Sequence, residues 1–143
     1  MANYGEDVPI LRDIDAFKNG YFNCSRAKKM AHEWRYDLGE DTRLSILQIQ
    51  KEFCIGWESS NPERKIECYE TAKGLTLHVQ HNLNTMNDLN VISNEDKARF
   101  DILSDNVKRQ LQGIINSVRH KNGKRQNVRD KSLDKSTDGE LIN

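Results

Sequence analysis

Two histidines three residues apart, His78 and His81, fall on one face of any helix that carries them, which is a spacing that can hold a metal ion. A metal centre in a helical protein needs further ligands converging from other helices. No second His pair or Glu-x-x-His repeats the motif at matching depth, so both residues read as solvated or packing side chains. Glu33, Asp37, Glu40 and Asp41 are close enough for paired acid–base chemistry. Their place at the start of a helix favours a plainer role, because carboxylates are stabilised at the positive end of the helix dipole. Cys24, Cys54 and Cys68 are odd in number, far apart and unaccompanied by a neighbouring His or a nucleophile motif. Cys54 and Cys68 read as small core residues. Gly39, Gly56, Gly74 and Gly113 stand singly rather than in a phosphate-cradling loop. The expectation is a protein that is not an enzyme and needs no metal or cofactor.

Binding chemistry is better represented. The run Arg119-His120-Lys121-Asn122-Gly123-Lys124-Arg125-Gln126-Asn127-Val128-Arg129 carries five permanent positive charges and no acid. Such a run can track phosphates and release their counterions; a solubilising tail or a charge complement to a helix C-terminus is the plainer alternative. Trp34 and Trp57 lie towards opposite ends of one helical segment, and aromatic anchors of this kind serve either a core or an oligomer seam.

Four helices are expected to position these groups. After Pro9, the residues Ile10, Ile14, Phe17, Tyr21, Cys24 and Ala27 recur at spacings of three and four. A connector follows Trp34, in which Asp37 can serve as N-cap with Glu40 three residues on. Leu44, Leu47, Phe53, Cys54 and Trp57, with Ile46 and Ile49, give the second helix a broad apolar stripe. Ser60 or Asn61 then caps a third helix with Pro62 at its first position. That helix shows Ile66, Tyr69, Ala72, Thr76, Val79, Leu83 and Met86 on one face. Ser93 and Asp96 form a capping pair for the fourth, whose seam is Phe100, Leu103, Val107, Leu111, Ile114 and Val118. Short connectors make sequential helices antiparallel neighbours, so the predicted fold is all-α, an up-down-up-down four-helix bundle. Its expected parts are an irregular lead over residues 1–9, the bundle over 10–120 and a flexible basic and polar tail over 121–143.

Composition agrees with long, two-sided helices: 36% hydrophobic and 31% charged residues with two prolines, where a β-sandwich wants more β-branched residues and turn glycines. Lys and Arg total 22 against 22 Asp and Glu, so no global charge draws the chain to nucleic acid. The distribution is uneven. Residues 119–143 hold seven basic and four acidic side chains, and the other 118 hold 15 and 18. No apolar run is long enough for a membrane span, and residues 1–10, with Glu6 and Asp7, do not read as a signal peptide. With this cysteine usage, the expected location is cytoplasmic.

The segment Tyr36-Asp37-Leu38-Gly39 before an apolar helix, the pattern of Pro62, Lys65 and Tyr69, the phrase Asn87-Asp88-Leu89-Asn90-Val91-Ile92-Ser93, and the ending Gln110-Leu111-Gln112-Gly113 occur in this order. In order and spacing, roughly residues 10–118 resemble the bacterial four-helix bundle family that includes the accessory variability determinant proteins of diversity-generating retroelements and bundles encoded by intervening sequences in ribosomal RNA genes. The resemblance implies a homopentameric ring that binds the element's reverse transcriptase and template RNA and supports mutagenic complementary-DNA synthesis without being a polymerase. It matches Arg35 and Tyr36 to the family's basic-aromatic pair and Leu38-Gly39 to its Leu-Gly, with Gly39 expected to permit close helix approach. The chain departs from the family at Gln80 and Asn84, where members often carry arginines, and at Ile114, where they often carry tryptophan. The residues expected to contact nucleic acid are Arg35, Arg119, Lys121, Lys124, Arg125 and Arg129. Those expected in structural or interface roles are Trp34, Tyr36, Leu38, Gly39 and Trp57. The alternative is a structural protein-interaction bundle of the same family with no retroelement or nucleic-acid role.

Overall fold

Asn61 turns the chain into a helix by accepting hydrogen bonds at its Oδ1 from the backbone N–H of Glu63 (2.9 Å) and Arg64 (3.5 Å), while Pro62 occupies the first helical position. Local chemistry of this kind delimits the other helices too. The computed structural model describes residues 8–27 and 37–142, with side chains described for 8–25 and 37–124. The helices are α1 (Pro9–Ala27), α2 (Leu38–Glu58), α3 (Pro62–Asp88) and α4 (Asn94–Ile142), and no strand occurs among the described residues. None of these helices is long and apolar enough to cross a membrane.

Between α3 and α4 the reversal is closed by a Schellman motif. Val91 N–H donates to Met86 O (2.8 Å) and Asn90 N–H to Asn87 O (3.0 Å), with Asn90 left-handed at φ 60°. Asparagine is one of the few residues besides glycine that visits this conformation readily. Ser93 Oγ then accepts from Asp96 N–H (3.1 Å) and opens α4.

Side-chain register sets the helix directions. Gln110 donates to Asp13, and Cys24 Sγ donates to Asp96 Oδ2 (3.3 Å), so α1 and α4 run antiparallel. Gln50 Nε2 to Asp15 Oδ1 (2.6 Å) and Tyr21 Oη to Gly39 O (2.9 Å) do the same for α1 and α2. Each helix packs against its two sequence or cyclic neighbours, α2 on α3, α3 on α4, α4 on α1 and α1 on α2, which is the up-down-up-down bundle.

Apolar faces fill the interior. Phe17 and Tyr21 of α1 meet Phe100 of α4 edge-on at 6.3 and 6.2 Å between ring centroids. Phe53 of α2 stacks on Tyr69 of α3 at 5.6 Å. The buried polar side chains are Thr42, Ser45, Thr76, Asn82 and Ser104, and no Asp, Glu, Lys, Arg or His is buried among the described residues. Thr42, Thr76 and Ser104 satisfy their hydroxyls on the carbonyl four residues earlier, at 2.8, 2.8 and 2.7 Å.

Several boundaries differ from those the sequence predicts. On α2 the buried face is Thr42, Ser45, Ile46, Ile49, Phe53 and Gly56, while Leu44 is 51% and Trp57 40% exposed. The α2–α3 interface selects small residues over larger apolar ones, because the two backbones come close. A Cβ on Gly56 would lie 2.8 Å from Tyr69 Cε1 and 3.0 Å from Cys68 Cβ. On α4, Ile115 is fully buried and its neighbour Ile114 only partly. Asp37 occupies the N-cap position of α2 without a side-chain capping bond, and Glu40 instead pairs with Arg43 at 2.6 Å. Finally, α4 continues to Ile142 rather than ending near His120. Loss of apolar residues marks where a helix leaves the core, not where its turns stop, and residues 121–142 contain no proline and many good helix formers.

Candidate nucleic-acid interface

The basic run sits on the second half of α4. Lys121 and Lys124, three apart, share one face of that helix, while the side chains of Arg125 and Arg129 lie outside the described ones. Lys121 and Lys124 are exposed. Arg119, two residues before Lys121 and on the other side of the helix, is held towards the bundle by an ion pair with Glu70 of α3, Nη2 to Oε1 at 2.9 Å. Both partners are about half exposed, so the pair orients Arg119 more than it stabilises the fold.

Where α4 passes the junction of α2 and α3, a groove of about 390 Å³ opens. Its apolar wall is Trp57, Pro62, Tyr69, Ile114 and Val118, and its polar groups are Ser60, Lys65, Ser117, Lys121 and Asn122. Trp57 is held by stacking on Phe53 at 5.7 Å, which in turn stacks on Tyr69. Burial pushes the Tyr69 phenol up to about 12, so that ring stays neutral at physiological pH. Lys65 Nζ donates to the carbonyls of Gly56 and Trp57, each at 3.0 Å, and so closes the end of α2. Trp57 also borders a second depression of about 370 Å³ with Val8, Pro9, Ile10, Gln110, Gly113, Ile114 and Ser117.

The opposite end of the bundle holds the Leu38-Gly39 segment. Leu38 is partly buried against the core, and Gly39 is buried with its carbonyl accepting from Tyr21. Burial raises the Tyr21 phenol well above its ordinary value. Trp34, Arg35 and Tyr36 lie outside the described residues, as does the Glu33 of the acidic cluster. Its remaining members serve the helix start and the α2–α3 contact. Asp41 Oδ2 accepts from Asn82 Nδ2 (2.7 Å) and His78 Nε2 (2.6 Å), and these bonds hold its carboxyl below the usual range. His78 is thus occupied with Asp41, and His81 is exposed on the adjoining turn. No group of three or more His, Cys, Asp or Glu side chains among the described residues is arranged to hold a metal ion. Cys24 and Cys68 are buried, and burial raises the Cys54 and Cys68 thiols.

The structure therefore brings Trp57 and Lys121 to one groove and places Gly39 at the far end. Sequence spacing alone does not reveal the groove, because its walls come from the end of α2, the start of α3 and the middle of α4. The one local signal was a tryptophan followed within a few residues by Ser60, Pro62 and Lys65. No family model and no curated protein matches the chain.

Proposed function

We propose that the chain is a non-catalytic accessory subunit of a diversity-generating retroelement, binding its reverse transcriptase and template RNA to support mutagenic complementary-DNA synthesis, and that it works as a homopentameric ring. The observation that carries this reading is the run of cations on α4, five basic side chains from Arg119 to Arg129 with no acid between them. A dense run of cations can track a phosphate backbone, and a neutral-to-acidic body presents the complementary charge to a basic polymerase. Several copies of the run around a ring raise avidity without any new contact.

Four measurements test it. Removing residues 119–143 abolishes RNA affinity if the run is the contact. Replacing Lys121 and Lys124 by Gln flattens the salt dependence of binding by roughly 0.7 per lost phosphate contact. Light scattering reports the ring, and a stable monomer removes it. A reverse-transcriptase gene found beside this one, and co-purification of its product with the chain, tests the retroelement assignment directly.

A second reading, a structural interaction bundle with no nucleic-acid role, is favoured by a different observation. Leu77 and Ile102 stand 49% and 64% exposed beside one another on the α3–α4 face, in a shallow depression with Lys73 and Arg109. Exposed apolar pairs of this kind suit a protein partner.

A further inference from the structure

The cations of α4 supply charge, but charge alone does not distinguish single strands from duplexes. The groove beside Trp57 has the chemistry to do so. We propose that it is a stacking site for a base of single-stranded nucleic acid whose flanking phosphates lie on Lys121 and Lys124. The inference rests on the RNA-binding reading above and gives it a specific contact.

Six observations carry it. Trp57 is 40% exposed although its indole is fixed by stacking on buried Phe53, so a rigid aromatic surface is presented rather than folded away. Rigid aromatic platforms lose little entropy when a base stacks on them. Lys65 locks the carbonyls of Gly56 and Trp57, which holds the platform in place from behind. The groove's lining includes two lysines and no acid, and Glu58 and Glu63, near in sequence, do not line it. Ser60, Ser117 and Asn122 add neutral donors and acceptors of the kind that base edges and sugars use. The space, about 390 Å³, lies within the range of small-ligand sites, roughly 300–1,000 Å³. Lys121 lines this groove and Lys124 is exposed one turn further along α4, so a strand held by these two cations arrives with a base beside the indole.

The test uses the full chain and a labelled oligouridylate of about a dozen nucleotides, with a duplex of equal length as comparison, read by fluorescence anisotropy over a range of salt. Trp57→Leu removes the stacking surface and no charge. It weakens single-strand binding on the order of tenfold and leaves both the salt slope and duplex binding unchanged. Trp57→Phe retains most of the affinity. Ser117→Glu, at an exposed helical position, puts an acid in the groove and weakens single-strand binding without touching the stacked rings; it keeps the test decisive if circular dichroism shows Trp57→Leu to be destabilised. Wild-type protein that binds the single strand and is unaffected by Trp57→Leu and Ser117→Glu overturns the stacking site and leaves the RNA-binding reading intact. Wild-type protein that binds neither oligomer overturns both.

Discussion

Gly56→Ala is expected to destabilise the protein although the same change at other helical glycines stabilises it. In a helix interior, alanine is favoured over glycine by roughly 0.5–1 kcal/mol, because glycine loses more backbone freedom on folding. At Gly56 the new methyl would sit 2.8 Å from Tyr69 Cε1 and 3.0 Å from Cys68 Cβ. Neither neighbour yields easily. Tyr69 is 1% exposed and stacked against Phe53, and Cys68 Cβ is fixed to the α3 backbone. Overpacking of this kind costs about 1–3 kcal/mol, so after the helix gain the net loss is centred on about 1 kcal/mol and reaches about 2.5 kcal/mol. At Gly74 and Gly113 nothing lies within 4 Å of the added atom, and alanine there gains the full roughly 0.5–1 kcal/mol. Urea denaturation followed by helical circular dichroism, at one protein concentration for all variants, reads the midpoints and slopes. A Gly56→Ala protein as stable as the Gly74→Ala protein refutes the claim that α2 and α3 are held at glycine distance.

Asp41→Asn should cost less than about 1 kcal/mol near neutral pH, because the His78–Asp41 pair is half exposed and the amide oxygen of the variant can still accept from buried Asn82. Since Asp41 titrates below the 3.8 of a free carboxyl, its contribution is fully present above that value and fades as pH falls through the lowered one. Wild-type and variant melting temperatures therefore converge in acid; a constant gap from pH 7 to pH 2 contradicts the assignment. Asn90→Ala, at φ 60°, should lower stability by about 1 kcal/mol in denaturant titration while Asn90→Gly does not. Lys65→Met removes the bonds to Gly56 and Trp57 carbonyls and should speed amide hydrogen exchange in the last turn of α2, leaving that of α4 unaltered.

The helices were legible in the sequence wherever a local rule and the apolar period agreed. Asn61-Pro62-Glu63 is a start signal by itself, and on α3 the residues Tyr69, Ala72, Thr76, Val79, Leu83 and Met86 are all buried as their spacing predicts. The phrase Asn87 to Ser93 contains both a left-handed stop and a hydroxyl start, which explains why it reads as a junction. On α2 the period was ambiguous. Leu44 and Trp57 compete with Ile46, Ile49 and Phe53, and the deciding residues are Thr42, Ser45 and Gly56, which hydropathy ranks low but close packing requires. Ile114 and Ile115 pose the same choice on α4, settled by the phase of Leu111 and Val107. The candidate interface was legible only in its charge. Lys121 belongs to a visible run, but the indole facing it is 64 positions away in sequence, and only the antiparallel path of α4 brings them together.

The bond from Tyr21 to the Gly39 carbonyl and that from Cys24 to Asp96 anchor the last turns of α1 directly to α2 and α4. Ten residues separate Ala27 from Leu38, and the positions of both ends are set by these anchors rather than by the length of chain between them. Side-chain bonds thus fix the register of α1 at this end, and the Gln50 to Asp15 bond fixes it further along, so the first rod is a natural piece to supply as a separate peptide and recombine with the other three.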